Sequence, residues 1–147
     1  MKPINTVQLQ IESRSCNENY ARVALSAFAA QLDPTLEEIS ELKTAVSEAV
    51  TNAIVHGYKE EIGKIYITAK LFEDRRLQVI IRDKGCGIED IELAREPLYT
   101  TSDSGERSGM GFTIMETFCD VVRVTSRVGR GTRIFMEKQI NGKDAHV

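Results

Sequence analysis

The sequence predicts an α/β sandwich, a mixed and mostly antiparallel sheet with helices on one face. Three patterns carry that expectation. Apolar and polar residues alternate along five short runs, as in half-buried strands. Apolar residues recur every three or four positions along three other runs, as in amphipathic helices. The order is strand, two helices, hairpin, long loop, helix, hairpin, with no internal repeat and no low-complexity segment.

The first strand is TVQLQIES, in which Val7, Leu9 and Ile11 share a face. Ser15 followed by Glu18 is a capping-box pattern. The helix it opens carries Tyr20, Val23, Ala24, Ala27, Phe28 and Leu32 as its expected apolar side. LDPTLEE opens the second helix, with Asp33 as cap, Pro34 in the first turn, and Glu37 and Glu38 at the positive end of the dipole. Its expected stripe is Leu36, Ile39, Leu42, Val46, Ala49, Val50 and Ala53, and Gly57 ends it. KIYITAKLF and RLQVIIRD form a hairpin about Glu73, Asp74 and Arg75. From Ile88 to Ser108 periodicity is weak and turn formers are common, which predicts a functional loop. SGMGFTIMETF is a helix, with Met110, Ile114, Met115 and Phe118 as core. DVVRVTSR and TRIFMEKQ are strands joined by VGRG, and the tail NGKDAHV is expected to fray from about residue 140.

The chain has 147 residues, the size of one domain, so residues 1–147 are expected to form a single unit. A formal net charge of −3 argues against a broad nucleic-acid footprint, while leaving room for a local basic patch. No apolar run reaches membrane-spanning length, and the start MKPINTVQLQ lacks a signal-peptide apolar region. Cys16, Cys86 and Cys119 are odd in number and lack metal-ligand spacing, which suits reduced thiols in a cytoplasmic protein.

Two features point to a site. In SEAVTNAIVHGY the second helix stacks Glu48, Asn52 and His56 every fourth residue, beside an apolar stripe. Glycines then gather at three element junctions. DKGCG, with Asp83, Gly85 and Gly87, ends a strand. SGMG, with Ser108, Gly109, Met110 and Gly111, opens a helix. GRGT, with Gly129, Gly131 and Thr132, joins two strands. A glycine-rich helix start leaves free N–H groups for an anion such as phosphate. Neither the Walker phosphate loop nor the dinucleotide fingerprint is present.

EAVTNAIVHG, DKGCG, ERSGMGF and GRGT resemble, in that order, the N box and the three glycine boxes of the Bergerat-fold ATPases, the superfamily that includes gyrase and the histidine kinases. Within it the whole chain is similar to the free-standing serine kinases of the anti-sigma type. REPLYTT and ERSGMGFTIMETF are most like those directed at sporulation sigma factor F. A stress-response relative acting on a sigma-B type factor is the alternative, as is a nucleotide-dependent sequestering module without kinase activity.

That resemblance implies roles. Asn52 would offer its amide oxygen to Mg²⁺ held jointly with ATP. Glu48 would either accept the proton of an incoming hydroxyl or orient it. Asp83 would read the exocyclic amine of adenine, with Gly85 and Gly87 letting the backbone approach the base. Ser108, Gly109, Met110 and Gly111 would place amides at the phosphates, under a lid from about 88 to 108. Arg107 would reach the γ-phosphate. Thr132 would meet the adenine side directly or through water. His56 is read as a helix-end cap. The chain has no room for the phosphoacceptor hairpin of histidine kinases, and its histidines are His56 and His146. The implied acceptor is therefore a serine of an anti-anti-sigma factor. The implied partners are that substrate, an RNA polymerase sigma factor of the sigma F type, and a second copy in a homodimer. Arg22, a polar break in the first helix, would meet a partner.

Overall fold

The structure, a computed structural model, describes residues 1–95 and 111–143. Arg107, Ser108, Gly109, Met110 and most of the expected lid lie outside them. Five strands, β1 (Asn5–Glu12), β2 (Lys64–Leu71), β3 (Arg76–Asp83), β4 (Val121–Arg127) and β5 (Gly131–Gln139), form one sheet in the order β1-β2-β3-β5-β4. Helices α1 (Ser15–Ala29), α2 (Leu36–Asn52) and α4 (Gly111–Phe118) accompany it, with one short turn of helix, α3 (Ile91–Ala94).

All four strand pairings are antiparallel, so the sheet is not mixed as expected. The reason lies in the connection. β3 and β4 run parallel, but β5 folds back from β4 and inserts between them, so they never pair. The β2–β3 turn works as the sequence suggested, with Arg75 taking the left-handed conformation (φ 69°) that a three-residue hairpin loop needs.

The core lies between the sheet and the helices. Ile65, Ile67 and Leu71 of β2, Leu77, Val79 and Ile81 of β3, and Ile134 and Met136 of β5 meet Leu25 of α1, Val46 and Val50 of α2, and Met115 of α4. Each such side chain contributes roughly 1.5–3 kcal/mol by burial. The stripe on α1 is rotated about one position from the expected one. Ala21, Leu25, Phe28 and Ala29 are buried, while Tyr20 and Val23 are 55% and 53% exposed. Apolar residues occur nearly all round this helix, so periodicity left its inward face ambiguous. On α2 Leu36 is exposed, because it is the first residue of the helix and precedes the stripe. On α4 the buried pair is Phe112 and Met115, with Ile114 and Phe118 half-buried.

Both helix caps differ from the pattern. Ser15 lies inside α1 and Arg14 precedes it without a side-chain cap; Glu18 instead accepts a hydrogen bond from Ser47 Oγ of α2 at 2.6 Å. On α2 the cap is Thr35. Its hydroxyl accepts from the Glu38 N–H at 3.0 Å, and Glu38 Oε1 accepts from the Thr35 N–H at 2.9 Å. Asp33 ends the preceding turn at φ 48°, and Pro34 therefore falls before the cap.

Glu38 also receives the segment after β5. Its carboxylate accepts the N–H groups of Asn141 at 2.7 Å and Gly142 at 3.1 Å. Ile140 is buried, its N–H bonding to the Arg75 carbonyl and its own carbonyl to the Arg75 guanidinium. Residues 140–143 are thus bound down rather than frayed. Burial pushes the Glu38 pKa up, but the N–H groups of Thr35, Asn141 and Gly142 outweigh it and hold the carboxyl below its ordinary value. A depressed carboxylate stabilises the fold above its unfolded pKa, and that contribution fades as pH falls through the lowered folded value. Glu38→Gln should cost about 1–3 kcal/mol at neutral pH, read from the urea midpoint. The gap from the unsubstituted protein should narrow as pH drops below the ordinary carboxylate range.

Candidate nucleotide site

The end of α2 sets the geometry. The helix continues from Asn52 into a π-helical turn, Ala53–Gly57, closed by the Tyr58 N–H on the Ala53 carbonyl at 3.0 Å. The fourth-residue spacing therefore holds for Glu48 and Asn52, both half-buried on α2, and ends there; His56 sits inside the wider turn. The His56 carbonyl accepts the Cys86 thiol at 3.0 Å, and the Gly57 carbonyl accepts the Cys86 N–H at 2.9 Å. The turn is thereby tied to the glycine loop that follows β3.

Asp83 closes β3 and is 4% exposed. Burial raises the pKa of its carboxyl, opposed by the backbone N–H groups of Gly85 (2.9 Å) and Thr132. A Cβ added at Gly57 would stand 2.9 Å from that carboxylate, so the turn of α2 packs flush on Asp83. A Cβ at Gly85 would lie 2.0 Å from the Gly57 carbonyl oxygen, and one at Gly131 2.1 Å from the Asp83 carbonyl oxygen. Gly87, at φ 78°, is packed the same way against the Arg127 carbonyl.

Thr132 is the cross-strand partner of Asp83 and is buried. Its hydroxyl lies 2.8 Å from Ser126 Oγ, which also reaches the Gly131 carbonyl at 3.0 Å and accepts the Ile88 N–H at 2.7 Å. Ser126 has one proton. With that proton on Gly131, Thr132 is the donor to Ser126 and keeps lone pairs to accept from a ligand.

Gly111 joins this end through the direction of α4. The helix packs along α2, and its last turn is fixed at the far end of the sheet. There Lys138 Nζ donates to the Phe118 carbonyl at 2.9 Å and the Asp120 N–H bonds to Glu137 at 2.8 Å. Its first residue, Gly111, consequently points toward the end that holds Asp83 and Thr132. Asp83, Gly85 and Thr132 meet at one end of the sheet, and Gly57, at the close of the turn that follows Asn52, packs on Asp83 there. Arg22 lies elsewhere on α1, its guanidinium on Asn19 at 2.6 Å and 3.8 Å from Glu18.

Two positioning residues escaped the sequence reading. Tyr58 accepts the Lys84 N–H at 2.7 Å and donates to the Lys64 carbonyl at 2.6 Å, bracing the glycine loop. Burial raises its pKa. Ser126 was findable as the inward residue opposite Thr132. A cleft of about 540 Å³ opens beside the loop, lined by residues 57–61, 84–86 and 129. None of Glu48, Asn52, Asp83 or Thr132 lines it, so the chemistry places the site next to this cleft rather than in it. Cys119 is half-buried, and burial pushes its thiol up to about 11.

Residues 12–138 match the family of the histidine kinase-like ATPase domain. The chain is 56% identical over 137 residues to the anti-sigma F factor of Shouchella clausii, covering 92% of this chain and 93% of that one. It is 53% identical to the anti-sigma F factor of Geobacillus kaustophilus, over 92% and 93%. The chain belongs to the anti-sigma F factor family. Its ATPase domain is of the histidine kinase type. The fold matches the solved RsbU and RsbW domains of a Mycobacterium tuberculosis protein at a TM-score of 0.68 and 18% identity, over 94% of this chain and 32% of that one. A mycobacterial sensor histidine kinase matches at 0.58 and 15%, over 93% and 100%. Among the described residues no helix is long and apolar enough to cross a membrane.

The packing of this family member's glycine loop is testable by contrast. Gly85→Ala drives backbone against backbone and should cost about 3 kcal/mol or more. Gly129→Ala meets nothing within 4 Å and should cost only the left-handed backbone penalty, about 1–2 kcal/mol. Urea midpoints of the two variants measure the difference.

Proposed function

We propose that this chain is an anti-sigma factor that binds ATP with Mg²⁺ and transfers phosphate to a serine of an anti-anti-sigma factor, while holding a sigma factor of the sigma F type from RNA polymerase. The observation that carries this reading is the convergence of the end of α2, the end of β3 and the start of α4 on one end of the sheet. Asp83 ends β3, and Glu48 and Asn52 lie on the last turns of α2 before the turn that packs on Asp83.

Asp83 is an acceptor held rigid in a buried setting, suited to a donor such as the exocyclic amine of adenine. A guanine carbonyl at that position would leave two acceptors facing each other. Asn52 is a neutral oxygen donor and suits Mg²⁺, which takes its other ligands from phosphates and water. The ion would neutralise charge on the triphosphate. Glu48, one turn before Asn52, accepts the proton of the serine hydroxyl or orients it. Gly111 is the described part of the phosphate cradle; Ser108, Gly109, Met110 and the γ-phosphate role of Arg107 complete the proposal under a lid from about 88 to 108. Arg22 is the proposed partner contact, with 38% of its side chain exposed. It reaches the site by contact: Arg22 neighbours Glu18, Glu18 holds Ser47, and Ser47 adjoins Glu48. The free edge of β1 is the proposed pairing surface for a second copy, which sedimentation at micromolar concentration would reveal as a dimer.

Asp83→Asn separates binding from stability. The folded state raises the Asp83 pKa, so this residue favours folding below the ordinary carboxylate range and loses that contribution as pH rises through the raised value. The Asn variant loses that buried charge but also one of the acceptors that faces the Gly85 and Thr132 N–H groups, so its urea midpoint is read beside binding; ATP should bind at least about tenfold more weakly by calorimetry. Wild-type affinity in this variant would remove Asp83 from the site. For transfer, labelled phosphate from ATP should appear on the anti-anti-sigma serine, and Glu48→Gln should slow it about a hundredfold. An unchanged rate would leave Glu48 structural, and sigma binding without transfer would leave a sequestering module. Arg22→Glu should weaken capture of both partners at unchanged ATP affinity.

A further inference from the structure

The strand face opposite the helices carries a segregated charge. Outward positions hold Arg82, Lys84, Arg127 and Arg133 at the Asp83 end of the sheet and Arg123 nearer its middle, all exposed, on a chain whose net charge is −3. None of the five makes an ion pair with another described residue. Glu137 occupies an outward position farther along β5, but it already serves Arg76 at 3.1 Å and Gln78 at 2.9 Å.

The register concentrates the cations. Arg82 of β3 and Arg133 of β5 are direct cross-strand partners, with Tyr66 on the other side of Arg82. Like charges directly opposite each other destabilise a sheet. Arg82 and Lys84 both lie 5.1 Å from the centroid of the Tyr66 ring, and Arg123 lies 5.5 Å from that of Phe135. The rings hold the cationic heads over the face in fixed positions. An anion placed between Arg82 and Arg133 would turn their repulsion into attraction on both sides, and guanidinium forks suit carboxylates in particular.

We infer that this face is a docking surface for an acidic segment of a partner protein, its carboxylates received by Arg82 and Arg133. Single-stranded nucleic acid fits less well. It needs open aromatic faces for its bases, and here both rings are covered by the protein's own cations.

The test is fluorescence anisotropy on the full chain with a labelled poly-glutamate peptide and, in parallel, an oligothymidylate of equal charge. The peptide should bind, weaken with added salt, and weaken about tenfold or more with Arg82→Glu combined with Arg133→Glu. Arg133→Gln alone should leave the thermal midpoint unchanged or raise it, since it relieves the repulsion. Peptide binding that is absent, or indifferent to the charge reversal, overturns the proposal. So does a lowered midpoint in Arg133→Gln, which would make the arginines structural. Tighter binding of the oligothymidylate, lost in the same double variant, would assign the face to nucleic acid instead.

Discussion

A buried carboxylate governs the site end of the molecule. Removing an ionised Asp83 from water is costly, and the fold tolerates it because backbone N–H groups from two neighbouring segments surround it. That arrangement demands close approach. Gly57 must lie flush on the carboxylate, Gly85 on the Gly57 carbonyl, and Gly131 on the Asp83 carbonyl. Three glycines from three segments are thus required by the close packing around one residue. The π-helical turn belongs to the same constraint, since it brings the chain from Asn52 down onto β3.

The opposite end of the sheet is built differently. There Glu38 and Arg75 each satisfy several backbone groups and Lys138 bridges the Phe118 carbonyl and the Glu41 carboxylate, and they tie the second helix, the β2–β3 turn, residues 140–142 and the last turn of α4 together. Charged side chains at that end are spent on holding the framework. At the site end Glu48 and Asn52 stand half-buried on α2, and Thr132 keeps lone pairs to accept.

Much of this was readable in the sequence. Strand alternation located all five strands, because a period of two with one wet face admits one solution. The N box and the boxes DKGCG and GRGT fall on segments that the fold packs together around Asp83 and Thr132, while ERSGMGF lies mostly outside the described residues. Local chemistry was less readable. Thr35 rather than Asp33 caps α2, since both are good caps and only the backbone path through Asp33 decides between them. The rotated face of α1 was hidden by apolar residues on every side, and the anchored segment after β5 by its polar composition. Tyr58 and Ser126 were missed because their roles are hydrogen bonds to backbone and hydroxyl groups far along the chain. Spacing rules do not see such partners.

The turn at residues 53–57 sets a limit on how this chain can change. A π-helical turn carries one more residue per hydrogen-bonded ring than an α-helix and is the less favourable backbone. Deleting one residue there would regularise the helix. It would also rotate everything downstream by about 100°. Gly57 would leave the Asp83 carboxylate, and a residue with a side chain would arrive in a space where even one carbon has no room. The inefficient turn is therefore a lock on chain length: substitutions can accumulate around it, but the spacing between Asn52 and Gly57 cannot.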